Sequence, residues 1–204
     1  MPDLPSDSAG ERLERPDYRA EFRQRLWALH DDEFWKFERR QSFIEPGVPS
    51  WEAFAAGDWQ ASLDLIADRR TELKDYFQRA AEQGLTMHRL RVVEPPLTPY
   101  LQWELHLLNV RAEHGERIRV VSPDLVRRHE SEDSLVEVVV LGASTMYRIV
   151  YTDDGLGDGA VRFTDSSAVM RCRESIKALF DQGEDLRSYF AREVAHLPPP
   201  AIHL

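Results

Sequence analysis

Residues 88–121 read HRLRVVEPPLTPYLQWELHLLNVRAEHGERIRVV, and the fold class turns on this stretch. Thr86 to Glu94 has the composition of a strand, and Pro95-Pro96 stop it because proline donates no ladder hydrogen bond. Thr98 is placed to cap a helix with Pro99 at its first position. Trp103, Leu107 and Val110 carry that helix to Gly115, and Arg117 to Val121 forms the next strand. The unit is therefore strand–helix–strand, with Arg89 and Arg91 on its first strand, a Tyr-x-x-Trp-Glu pattern and a Gly-Glu-Arg turn close to one sheet.

Upstream, residues 1–16 lack periodicity and read as a disordered tail. Tyr18, Phe22, Leu26 and Leu29 follow helical spacing. Phe34 to Phe43 fits either a strand or a helix, and residues 44–49 form a Pro-Gly loop. Ser50 is expected to cap a short helix bearing Trp51, Phe54 and Ala55. Gly57 ends it and Asp58 caps the next. Leu63, Ile66, Leu73, Phe77 and Ala80 then predict one long helix ending at Gly84.

Downstream, Ser122-Pro123-Asp124 starts a short helix that fades into a charged loop, HESEDS. Leu135 to Leu141 is a β-branched run suited to a buried strand. Gly142-Ala143-Ser144 turns it into Thr145–Tyr151, and a polar Asp-Gly connection leads to Ala160–Phe163. Thr164 or Asp165 caps a helix with Val169, Cys172, Ile176 and Leu179 inward. A last helix, Leu186 to Leu197, stops at three prolines. The order divides the chain into a tail (1–16), a helical N-terminal region (17–84) and a mixed α/β core (85–200), together one compact unit. It predicts an α/β or α+β fold in which the helical N-terminal part packs on one mixed sheet with flanking helices.

The 204 residues are 42% apolar, with five Trp and nine Phe, enough to bury a core without metals or disulfides. The single cysteine, Cys172, lies on an apolar helical face and reads as a buried, inert thiol. No apolar signal segment opens the chain, and its longest apolar run, Val138 to Leu141, is far too short to span a bilayer. A soluble, cytoplasmic protein is expected. The net charge of −10 disfavours direct contact with nucleic acid or anionic membranes.

Chemistry-bearing motifs are sparse. His106 and His114, on one predicted helix, lie more than two helical turns apart, and no spacing suits a metal or a cofactor. The Asp153-Asp154-Gly155 region reads as a turn, lacking calcium-loop spacing. What remains is the central unit. On a strand, Arg89 and Arg91 share one face. Tyr100, Trp103 and Glu104 share a helix side, and Glu116 begins the next strand. These six are candidate ligand-binding residues: arginines as anion clamps, Tyr100 and Trp103 as walls, Glu104 as the orienting group. The competing reading is an Arg–Glu network holding helix against sheet, because a buried arginine requires a partner.

Several stretches together resemble an uncharacterised actinobacterial family of unknown function. They are Phe37-Glu38-Arg39-Arg40, Glu45-Pro46-Gly47, Gly57-Asp58-Trp59, Arg89 to Glu94, Pro99-Tyr100 with Gln102-Trp103-Glu104, Gly115 to Arg119, Val138 to Gly142 and Tyr151-Thr152-Asp153. The resemblance covers about residues 25–200. It implies a neighbourhood of helix-turn-helix regulators and a role in regulation through protein contacts. The C-terminal part, ending VRFTDSSAVMRCRESIKALF, is also similar to phospholipase-D-like sensor domains, which implies half of that fold. Arg89 and Leu90 follow His88 where that superfamily carries His-x-Lys, so its chemistry is not implied.

The expected function is a non-enzymatic cytoplasmic regulatory or interaction protein, partnered by a helix-turn-helix regulator or by itself. The alternative is a sensor or enzyme taking an anionic metabolite through the Arg/Tyr/Trp/Glu residues.

Overall fold

The computed structural model describes residues 5–127 and 136–201. Three parallel strands make its centre: β2 (Glu33–Glu38), β3 (Thr86–Val92) and β4 (Arg117–Val121). A helix, α5 (Pro99–Glu113), crosses from β3 to β4, as parallel neighbours require. Its sequence signals hold: the Thr98 hydroxyl accepts from Leu101 N at 3.0 Å, and Pro99 opens the first turn.

An antiparallel meander extends the sheet beyond β2: β5 (Glu137–Leu141), β6 (Thr145–Tyr151) and β7 (Gly157–Phe163). Gly142 takes φ +57° in the β5–β6 turn, where a Cβ would lie 2.3 Å from an Asp32 carboxylate oxygen, so only glycine fits. Two short strands close the edges, β1 (Glu11–Glu14) on β7 and β8 (Glu184–Asp185) on β4. The eight-stranded order is β1-β7-β6-β5-β2-β3-β4-β8. This is a mixed α/β sheet, as expected.

One sheet face carries α7 (Ser166–Phe180), capped by Asp165. Its Val169, Cys172 and Ile176 meet Trp35, Phe37, Leu90, Val92, Val138 and Val140. Cys172 is buried, as its helical position required. The opposite face carries α1 (Arg15–Leu26) over β7, α4 (Arg70–Glu82) over β3, and α5. There Phe34, Met87, Val139 and Tyr147 pack with Leu26, Phe77 and Trp103. Outside α5 lie α2 (Pro49–Ala55), α3 (Trp59–Asp68) and α8 (Leu186–Glu193), while the one-turn α6 (Pro123–Arg127) follows β4.

The structure departs from the sequence reading in several places. The segment read as a tail holds a 3-10 turn at Asp7–Ala9 and strand β1, with Arg12 opposite Val161. Its pattern, ERLE, has no apolar period; backbone pairing and the Arg162–Glu11 and Arg148–Asp7 ion pairs hold it. The region read as helical contains β2, so the sheet is shared across residue 84. Lys36 and Glu38 mask the apolar character of a central strand whose Trp35 and Phe37 are fully inside.

The long helix of residues 59–83 is two helices, broken at Arg69. The first half packs on α2 and α5 and the second on β3. Ser50 does not cap α2; the helix starts at Pro49, and the buried Ser50 carbonyl accepts from Ser62 Oγ at 2.6 Å. Strand β7 starts three residues before Ala160, because β1 and β6 supply pairing that Gly157-Asp158-Gly159 would not command alone. The expected HESEDS loop lies outside the described residues.

Candidate functional site

Strand alternation sends Lys36 and Glu38 of β2 to the same face as Arg89 and Arg91 of β3. Parallel register sets Lys36 opposite Arg89 and Glu38 opposite Arg91. Helix α5 returns over that face bearing Tyr100, Trp103 and Glu104, and the turn after it delivers Glu116. The result is a layer of charge inside the protein, with Arg91 0% and Arg89 7% exposed.

The pairing is specific. Lys36 Nζ lies 2.5 Å from Glu38 Oε1, and Arg89 Nη1 donates to Glu38 Oε2 at 2.6 Å. Arg89 Nε donates to Glu116 Oε1 at 2.9 Å, and Arg111 holds the other Glu116 oxygen. These five groups form one alternating chain. A second branch starts at Arg91, whose Nε donates to Glu104 Oε2 at 2.8 Å while Nη1 donates to the Val92 carbonyl at 3.1 Å. Tyr100 donates its hydroxyl to Glu45 and lies 3.4 Å from Glu104 Oε1. Trp103 stacks on Phe54 at 5.8 Å, its indole N–H buried without a partner among the described residues.

Removing charges from water costs several kcal/mol per ion, and a close opposite charge is what offsets it. Burial alone pushes Glu38 up, but Arg89, Lys36 and Arg91 outweigh it and hold the carboxyl far below the usual range. Glu116 is likewise pushed up by burial and drawn down further by Arg111 and Arg89. Glu104 goes the other way: burial, with Glu38 and Glu45 nearby, exceeds the pull of Arg91 and raises it.

Glu137 is the outlier. It is 1% exposed, and burial plus the Glu38 charge push it up to about 8. Its Oε1 accepts the backbone N–H groups of Arg39 and Arg40 at 2.7 and 2.6 Å, pinning the chain where β2 ends. At neutral pH this carboxyl keeps its proton.

The six residues nominated from sequence are thus all brought together, yet inward. Both arginines donate to carboxylates, and Glu116 alone among the six borders one of the larger surface clefts. Sequence reasoning missed Lys36, Glu38, Glu45, Arg111 and Glu137. The signal for the first two was present, since charges at alternate positions of an apolar strand require partners. Nothing local marks Glu137, which reads as the polar end of a buried strand.

On the opposite face His88 stacks on Trp35 at 4.0 Å with its ring within 7° of parallel, and burial lowers its pKa. Among the described residues no cluster of His, Cys, Asp or Glu is arranged to hold a metal ion. No helix among them is long and apolar enough to cross a membrane. Thr152 to Leu156 form a tight turn, closed by Thr152 N donating to the Leu156 carbonyl at 2.9 Å.

The molecule is therefore a mixed α/β domain with a layer of paired charged residues inside the sheet–helix interface. A family model described as Domain of unknown function (DUF6879) matches residues 20–191, and the chain belongs to that family. No curated protein matches the sequence.

Proposed function

We propose that this chain is a non-enzymatic cytoplasmic regulatory module that works by binding another protein, a helix-turn-helix transcriptional regulator. The observation that carries the reading is the fate of Arg89 and Arg91. Groups that would clamp a reacting anion are instead matched to Glu38, Glu104 and Glu116 in the interior, where they brace the fold. The actinobacterial resemblance supplies the partner class, and the likeness to phospholipase-D-like sensor domains that lack His-x-Lys agrees with a binding role. A net charge of −10 favours encounter with a basic partner.

The test is co-purification of the tagged full chain from its native host, with partners identified by mass spectrometry. Recovery of a helix-turn-helix protein, reproduced with the two purified proteins by calorimetry, supports the reading. A strictly monomeric chain that leaves such regulators unbound at about 100 μM contradicts it.

A further inference from the structure

Next to Glu38 the charged layer reaches the surface in a cleft of about 240 Å³. Its walls come from the first turn of α1, the outer half of β2, the loop at residues 43–48 and the ends of β6 and β7. None of the six residues nominated from sequence lines it.

Two properties define what would occupy this cleft. The first is charge. Arg15, Arg19 and Lys36 border it, and neither arginine has an ion-pair partner among the described residues. Glu38 and Glu45 are the carboxylates of the lining, but Glu38 is shared with the buried Arg89. Within the lining three cations stand against two carboxylates, a surplus of one positive charge on a protein of net −10. No side chain caps the N-terminus of α1, whose N–H groups add positive potential that Asp17 in the first turn partly offsets.

The second property is shape. Phe43 and Tyr151 set their rings 5.2 Å apart, and Ile149 and Val48 continue the apolar wall. Arg40 lies over the Tyr151 ring at 4.9 Å. Cavities of roughly 150 Å³ accept benzene, and drug-sized ligands need about 300 Å³ or more. A volume between these limits suits one ring with one acidic substituent.

We infer that this cleft is a binding site for a small monocyclic aromatic carboxylate, its ring on Phe43, Tyr151 and Ile149 and its carboxylate toward Arg15, Arg19 and Lys36. The site stands independently of any protein partner. It differs in residues and in location from an anion clamp at Arg89 and Arg91.

The test uses the full-length protein, with ¹⁵N chemical-shift titration of three probes: benzoate, benzyl alcohol and inorganic phosphate. Benzoate is expected to saturate shifts around residues 15–19, 36–38 and 149–151 with Kd on the order of 1 mM, as a nine-atom ligand allows. Benzyl alcohol and phosphate are each expected to bind at least about 10-fold more weakly, since each lacks one half of the recognition. The double variant Arg15→Glu/Arg19→Glu, both positions bordering solvent, is expected to weaken benzoate by about 10-fold or more. Val48→Trp, which fills the cleft, is expected to abolish its shifts. The melting transition of each variant verifies folding. Equal binding of benzoate and benzyl alcohol, phosphate binding as tightly as benzoate, or no saturable shift in folded wild-type protein would each overturn the inference.

Discussion

Strands β2, β3 and β5 present two buried faces that solve opposite problems. Toward α7 they send Trp35, Phe37, Leu90, Val92, Val138 and Val140, a hydrocarbon layer that needs only volume and shape. Toward α4 and α5 they send Glu38, Arg89, Arg91 and Glu137, neighbours of the first set by a single residue. The apolar face gains from each area removed from water, about 25 cal/mol per Å². The charged face gains nothing until every ion has its counter-ion, and then it is specific about register. A one-residue slip would place Arg91 against Val92's neighbours and leave Glu104 alone.

Breaking that contrast gives graded expectations. The largest loss should come from Arg89→Ala, which removes the cation shared by two buried carboxylates, leaves Glu38 with Lys36 alone and Glu116 with Arg111 alone, and costs about 3–5 kcal/mol in urea unfolding. Leu90→Ala, one residue away and facing α7, should cost about 3 kcal/mol through its cavity. The two losses should also differ in salt and pH response, with the Leu90 loss insensitive to both.

The third expectation concerns pH. Glu137 titrates at about 8 in the fold and near 4.5 unfolded. Between those values the folded state binds the extra proton, so this group makes stability fall as pH rises, by up to about 1.4 kcal/mol per pH unit. Glu137→Gln keeps an oxygen for the Arg39 and Arg40 N–H groups and removes the titration. Thermal unfolding from pH 5 to 8 should flatten in this variant. Glu38 and Glu116 have the opposite sense: their stabilisation is complete above the unfolded value and fades as pH falls below it. That acid limb should survive in Glu137→Gln. The smallest effect is expected for Thr98→Ala, about 1 kcal/mol, from loss of the α5 cap.

The two faces also explain what the amino-acid sequence disclosed. Apolar periodicity identified β5, α7 and the α5 crossover, because hydrocarbon patterns are local. Helix caps at Asp58, Thr98 and Asp165 were readable for the same reason. Strand β1 escaped because its stability lies in backbone pairing with the distant β7, where Arg12 lies opposite Val161. Strand β2 was ambiguous because its buried Glu38 is paired with Arg89, 51 positions away. The arginines and Glu104 were recognised as one group, but spacing alone is silent on whether such a group faces water or the core. Only the register of β2 against β3, and the seating of α5 above them, decides that.

A double-mutant cycle on Arg91 and Glu104 probes the buried charge layer most directly. Arg91→Met and Glu104→Leu should each cost about 3–5 kcal/mol, and the double variant should recover to within about 2 kcal/mol of wild type, since an apolar pair replaces an ionic one. Single losses below about 1 kcal/mol that simply add, as for a pair in contact with water, would show that these charges do not hold the architecture.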